Sequence, residues 1–226
     1  MNRYNAVLFD FGGTLDSDGI NWKERFFPIY PSAGLKWEYH EYEKYFYYAD
    51  DFLTERKLKT VSFKKTIEWQ VSLVLKAGRS FTDNLVKEIS RVFIQDSLTT
   101  IRRNNPLLKE LKKKYSLGIV SNFYGNLPVI CREIGFNKLF DVVIDSSRVG
   151  VIKPIPKIFF CALDQLKTKA EKSVFVGDSP SRDMAGAKKL GMDHIWLRAE
   201  NTRAHKPCCK NDKVIQSLLD LEKILL

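Results

Sequence analysis

Four short polar clusters carry the chemistry open to this chain. Asp10 ends an apolar run at residues 6–9, and Gly12 and Gly13 follow closely. Ser121-Asn122 ends a second run at 117–120. Gly177-Asp178-Ser179 ends a third at 174–176, with Asp183 five residues after Asp178. Lys153-Pro154 follows Gly150 where a helical pattern opens. Continuous apolar runs of this length read as strands buried on both faces of a parallel sheet. A carboxylate at the carboxyl end of such a strand, before a turn with little side-chain bulk, is well placed to meet a ligand. Each cluster also has a plainer reading. Asp10 or Ser121-Asn122 can cap a turn or helix, Lys153-Pro154 can be a surface turn, and Asp178 and Asp183 can be helix N-terminal charges favoured by the dipole. The order Asp, Ser, Lys, Asp…Asp weighs for reading them together.

In that order the clusters resemble the motifs of the haloacid dehalogenase-like superfamily, the aspartate-nucleophile phosphatases and their relatives. The likeness covers the core motifs end to end. It implies Asp10 as a nucleophile that forms an aspartyl-phosphate, with Ser121 hydrogen-bonding a phosphoryl oxygen and Lys153 supplying a compact positive charge. It also implies Mg²⁺ held by Asp10, Asp178 and the carbonyl of Gly12, with Asp183 behind them orienting waters or Lys153. Gly13 and Asn122 stand beside these as substrate contacts. Phosphoryl transfer needs such a set, a positioned nucleophile and compensation of charge. The expected partner is a small phosphorylated molecule.

One position departs from the pattern. Phosphatases of the superfamily carry a second Asp two residues after the nucleophile, and this chain has Gly12. Glycine can neither protonate a leaving oxygen nor activate water, and such help is typically worth ~10²–10⁴-fold. Three readings remain. The first is a phosphotransfer enzyme whose leaving group needs no proton, such as an acyl phosphate or anhydride, or whose acid lies elsewhere, with Asp16 and Asp18 the nearest carboxylates. The second is a C–X hydrolase of the phosphonatase or dehalogenase kind, for which Lys57, Lys59, Lys64 and Lys65 are the candidate lysines. The third is a protein that binds phosphoryl ligands without turnover.

The elements that must position these clusters follow from periodicity. Residues 22 to about 102 read as helical, with Tyr42, Phe46, Ala49 and Leu53 on one stripe. Phe63, Ile67, Val71, Val74 and Leu75 form another, and Leu85, Ile89, Val92 and Phe93 a third. Thr82 or Asp83 is the expected N-cap between the last two. From residue 105 strands and helices alternate, with strands at 117–120, 142–144, 174–176 and 195–197, which implies a parallel sheet with right-handed crossovers. A final amphipathic helix carries Ile215, Leu218, Leu219 and Leu225. The expected class is α/β: a Rossmann-like parallel-sheet core, residues 1–16 and 103–226, with an all-helical cap inserted at 17–102. Short exposed connections at 16–21 and 102–106 would let the cap swing. The consecutive aromatics Tyr45, Phe46, Tyr47 and Tyr48 cannot all face one side of a helix, so some would line the cleft.

Composition sets outer bounds. In 226 residues, 44% hydrophobic content supports a packed interior. No apolar run approaches the roughly 18 residues needed to span a bilayer, and Met1 to Tyr4 lead straight into the first strand, so a cytoplasmic monomer or homodimer away from membranes is expected. The net charge of +10 is scattered, with runs such as Lys112-Lys113-Lys114 on a solvated helix face. No aromatic–basic interleaving or nucleic-acid module accompanies it, which argues against nucleic acid. Cys131 and Cys161 sit in apolar helical patterns, and Cys208-Cys209 adjoin near His205 in no known metal-ligand spacing.

Overall fold

The sheet begins with β1, Ala6–Phe9, whose four residues are all buried. In the computed structural model, which describes residues 3–199 and 213–226, a helical segment follows. It comprises α1 (Trp22–Phe26), α2 (Ile29–Ser32), α3 (Tyr39–Arg56), α4 (Phe63–Ala77) and α5 (Asp83–Lys114). Three of these helices start on a side chain that accepts from a first-turn N–H: Asn21 for α1, Ser62 for α4 and Thr82 for α5. The expected stripes are buried: Tyr42, Phe46, Ala49 and Leu53 on α3, and Phe63, Ile67, Val71, Val74 and Leu75 on α4. On α5, Ile89 and Phe93 are buried whereas Val92 is exposed.

The chain then alternates through β2 (Ser116–Ser121), α6 (Leu127–Glu133), β3 (Val142–Asp145), α7 (Ser146–Val149), α8 (Pro156–Gln165), β4 (Ser173–Gly177), α9 (Ala185–Lys189), β5 (Asp193–Leu197), β6 (Lys213–Ile215) and α10 (Glu222–Leu225). The strands form one parallel sheet in the order β3-β2-β1-β4-β5-β6. Its two faces pack differently. Val7, Phe9, Ile119 and Val176 face the helical segment and α6, whereas Leu8, Val120, Phe175 and Trp196 face α8 and α9. Each such large apolar side chain, fully buried, contributes roughly 1.5–3 kcal/mol. Phe9 lies level with Ile119 in β2 and Val176 in β4, so Asp10, Ser121 and Asp178 all emerge at the same edge. The chain builds outward from β1 on one side and then on the other. Such a switch point is where open α/β sheets bind ligands.

Three expectations change. The connection expected at 102–106 is helical: α5 runs 32 residues through Pro106, burying Ile101 and Asn104 before that point and Leu107, Leu108 and Leu111 after it. The connection at 16–21 is not exposed, with Asp16, Ser17 and Gly19 buried. Ile215 belongs to β6 rather than to a helix, and the terminal helix shrinks to a 3₁₀ turn at Leu218–Leu221 followed by α10. Cys131 is buried and Cys161 half-buried, whereas His205, Cys208 and Cys209 lie outside the described residues. No described helix is long and apolar enough to cross a membrane.

Candidate active site

The turn after β1 sets the geometry. The main-chain N–H of Asp10 donates to the carbonyl of Val176 at 3.0 Å, extending the β1–β4 pairing to the carboxylate itself. At Gly13 the chain turns with φ of 90°, and a Cβ there would lie 2.8 Å from the Asp178 carboxyl, so only glycine fits. The next residue, Thr14, donates its hydroxyl to Asp178 Oδ1 at 3.1 Å. After β4 a similar close approach recurs, since a Cβ on Gly177 would lie 2.4 Å from Asp183 Oδ2. The N–H of Ser179 donates to Asp183 at 3.0 Å.

Lys153 ties the two turns together. Its ammonium lies 2.7 Å from Asp10 Oδ1 and 2.6 Å from Asp183 Oδ1, and all three side chains are buried. Burial works against the charge on Lys153, but Asp10 and Asp183 outweigh it and lift the ammonium above its ordinary pKa. Asn122 holds the lysine from behind. Its Oδ1 accepts the Lys153 N–H at 2.7 Å and its Nδ2 donates to the Lys153 carbonyl at 3.2 Å. Both ends of this amide are therefore on the Lys153 main chain. Asp178 forms no ion pair with a described residue, and burial, with Asp183 and Asp10 adding to it against Arg182 and Lys153, pushes its carboxyl up to about 8. Asp10, Asp178 and Asp183 each offer an oxygen within 4.8 Å of the others.

Asp10, Gly12, Ser121, Asn122, Lys153 and Asp178 line one cavity of about 670 Å³, roofed by the helical segment. Gly13 and Asp183 lie behind that wall rather than on it. The roof is pinned to the sheet side by hydrogen bonds. The Tyr124 hydroxyl donates to Asp50 of α3, Leu58 N–H donates to the Tyr124 carbonyl, and Asn126 reaches Thr66 and Val61 of the α4 region. Of the four consecutive aromatics, Phe46 and Tyr47 line the cavity and Tyr45 packs on Trp37.

Gly12 has an ordinary backbone, φ −75° and ψ 119°. What stands against it is a side chain. A Cβ at this position would lie 3.2 Å from the Trp22 indole nitrogen. That indole donates to Asp16 Oδ2 at 2.7 Å, Arg25 donates to the same oxygen at 2.8 Å, and the Gly13 N–H donates to Oδ1 at 2.7 Å. Arg25 continues to Asp96 and Ser97 on α5. Asp18 pairs with Arg103 at 2.7 Å. Neither Asp16 nor Asp18 lines the cavity, so the two carboxylates nearest Gly12 have structural partners instead.

Several residues here carried no signal by their own type. Asp145, buried at the end of β3, accepts N–H groups from Gly125, Leu127 and Ser147 and so fixes the loop that follows Ser121. None of Lys57, Lys59, Lys64 and Lys65 lines the cavity, whereas Lys23 does. Thr14 was open to reading from its place in the Gly-Gly-Thr turn. Trp22 was not, because its role depends on a contact across the fold.

Known proteins give the same picture. A model of the haloacid dehalogenase-like hydrolases matches residues 4–191. The glyceraldehyde 3-phosphate phosphatase of Methanothermobacter thermautotrophicus is 34% identical over 52% of this chain and 55% of its own length. Pyrophosphatase PpaX of Bacillus mycoides is 27% identical over 99% of this chain and 97% of its own. The chain spans about half the length of the first curated relatives it matches. Among solved structures, a dehalogenase in an intermediate complex superposes with a TM-score of 0.67 at 15% identity, covering 100% of this chain and 98% of that one, which shows the fold alone. With this parallel sheet, these strand-exit residues and a match across residues 4–191, the chain belongs to the haloacid dehalogenase-like hydrolase family.

Proposed function

We propose that this chain is a Mg²⁺-dependent phosphohydrolase or phosphotransferase that works through an aspartyl-phosphate on Asp10. Its substrate is a small phosphorylated metabolite whose leaving group departs without being handed a proton. One observation carries the reading: three buried carboxyl groups cluster, with Lys153 paired to Asp10 and Asp183 while Asp178 forms no ion pair with a described residue. Burial and its acidic neighbours hold the Asp178 carboxyl up at about 8, and a divalent ion beside it would stabilise the ionised form. An all-oxygen donor set suits a hard cation such as Mg²⁺. Asp10 and Asp178 would hold the ion with the Gly12 carbonyl, and when bound it supplies positive charge beside the transferred phosphoryl group. Lys153 holds Asp10 in place through their ion pair. The carboxylate attacks phosphorus, the bond to the leaving oxygen breaks, and that oxygen departs with the electron pair. Ser121 donates its hydroxyl to a phosphoryl oxygen. Water then attacks phosphorus, the bond from phosphorus to the Asp10 oxygen breaks and returns the carboxylate, and with glycine at position 12 the water's proton passes to an oxygen of the departing phosphate.

The phosphonatase reading requires a neutral cavity lysine. Among the described lining residues Lys23 is the lysine not paired with Asp10, and although burial works against its charge, Glu43 and Tyr47 hold its ammonium and raise its pKa. The test is phosphate release with Mg²⁺ from acetyl phosphate, pyrophosphate, p-nitrophenyl phosphate and alkyl phosphates, with protein phosphorylation followed by acid quench. Expected are turnover that favours good leaving groups and loss of both signals in Asp10→Asn. Absence of phosphate release and of trapped phosphoprotein across the set would leave a phosphoryl-binding protein instead.

A further inference from the structure

Among the described residues, four cationic side chains line the cavity, and two of them are already engaged. Lys153 is held by Asp10 and Asp183, and Lys23 by Glu43 and Tyr47. The other two, Arg182 and Arg198, form no ion pair with any described residue. Arg182 donates Nε to the Ser179 hydroxyl at 3.3 Å. Arg198 lies with its guanidinium 5.3 Å from the centre of the Trp196 ring.

Both are fixed relative to Asp178. Arg182 stands in the short turn Pro180–Met184, directly before Asp183. Arg198 is stacked on an indole whose N–H donates to the Asp178 carbonyl at 3.0 Å, so its platform is tied to that residue. Arg182 is exposed at the cavity mouth, where the charges of Asp183, Asp178, Asp10 and Asp50 act to hold its guanidinium protonated, and Tyr124 and Asp51 flank Asp50. Two guanidinium groups that form no ion pair with a described residue thus open onto the cavity that holds Asp10 and has no acid at position 12.

A departing oxygen can be helped by a proton or by a fixed positive charge. An alcohol needs the proton, because hydroxyl groups resemble water, with a pKa of about 15.7. A carboxylic acid, with a pKa of about 4, or a phosphoryl group, with a second pKa of about 6, leaves as a stable anion. A planar guanidinium matches both anions in bidentate geometry. Resting on the aspartyl-phosphate reading, we infer that Arg182 and Arg198 receive an anionic leaving group, so that the substrate is a phosphoric anhydride. Asp10 forms a bond to phosphorus, the bond to the bridging oxygen breaks, and that oxygen keeps the electron pair. It leaves as phosphate or carboxylate against the two arginines, and no proton is transferred in the step.

The experiment compares wild type, Arg182→Gln, Arg198→Gln and the double variant, with Mg²⁺, on pyrophosphate, acetyl phosphate and p-nitrophenyl phosphate. The expected result is a 10- to 100-fold fall, per arginine, in the ratio of kcat/KM on anhydride to kcat/KM on p-nitrophenyl phosphate. That is the size of a lost charge-assisted contact. Methylguanidinium in the buffer is expected to restore part of it. A fall confined to pyrophosphate assigns a phosphoryl leaving group, and one confined to acetyl phosphate assigns a carboxylate. A calorimetric readout is independent of turnover: methylenediphosphonate is expected to bind 10- to 100-fold more weakly to the folded double variant, while methylphosphonate shifts far less. Unchanged ratios together with unchanged diphosphonate affinity would overturn the inference. Phosphate release that survives Asp10→Asn would overturn the aspartyl-phosphate reading instead, with the diphosphonate result still deciding the arginines.

Discussion

Placing an acid at position 12 tests the site most directly, and the structure sets the size of the effect. The perturbation is Gly12→Asp, read on an alkyl phosphate that depends on protonation of its leaving oxygen. An acid in the right place is worth ~10²–10⁴-fold. The backbone accepts the change, since φ of −75° is open to any residue. The obstacle is Trp22, whose indole nitrogen would sit 3.2 Å from the new Cβ. The indole cannot yield freely, because its N–H bonds Asp16 at 2.7 Å and its ring packs edge-on against Phe26, Phe93 and Phe123. Overpacking a core in this way costs about 1–3 kcal/mol, and a misplacement near 1 Å can remove about 10²-fold from catalysis. The single variant is therefore expected to gain less than about 10-fold and to lose thermal stability. Adding Trp22→Phe frees the space beside position 12 while leaving Arg25 and the Gly13 N–H on Asp16. The double variant is expected to exceed Trp22→Phe alone by about 10- to 10³-fold, with Asp10→Asn abolishing the gain. The assay is phosphate release from the alkyl ester, with the melting temperature as a check on folding. A gain of 100-fold or more from Gly12→Asp alone at unchanged Tm would refute the steric argument. A folded, Mg²⁺-binding double variant with no gain would refute Asp10 as an aligned nucleophile.

Three further expectations follow from the same contacts. Asp178 is raised to about 8 in the metal-free fold from an ordinary carboxyl value near 4, so the folded state holds that proton more tightly. Metal-free stability then declines as pH rises through that window, whereas Mg²⁺ needs the ionised group. The Tm gain from Mg²⁺ should be larger at pH 8.5 than at pH 6, and equal gains at both would count against Asp178 as a ligand. Arg25→Met leaves Asp16 buried without its cation, which should cost about 3–5 kcal/mol in urea unfolding; a loss under about 1 kcal/mol would mean that the pair contributes little. Arg102 and Arg103 are exposed but lie inside α5, so native trypsin digestion should spare them until the whole protein unfolds, and early cleavage there would restore the connection at 102–106 as a flexible hinge.

The sequence disclosed the strands because β1, β2 and β4 are covered on both faces, which makes their apolar runs continuous. It disclosed the helical stripes for the same physical reason, one face buried at a 3.6-residue period. β6 escaped because it is three residues long, begins with an exposed lysine and buries only Ile215. The continuity of α5 escaped because Pro106 normally ends a helix at a cost of about 3 kcal/mol. Here Leu107, Leu108 and Leu111 are buried against the core beyond it, and that burial is large enough to carry the helix through.

The contact between Gly12 and Trp22 escaped for a deeper reason. Periodicity reports which face is buried, not which side chain fills the space beside a given glycine. Read along the chain, Gly12 is a missing acid. In the fold it is the place where Trp22 closes against the loop after Asp10, with its indole anchored by Asp16, which Arg25 in turn ties to Asp96 and Ser97 on α5. A glycine with no neighbour packed on it would leave a gap beside Asp10. This chain fills that space with a packed aromatic held by a buried ion pair, and such a pair is costly unless its hydrogen bonds are complete. The glycine and the network behind it therefore work as one unit, and no single substitution at position 12 undoes what five other residues hold in place.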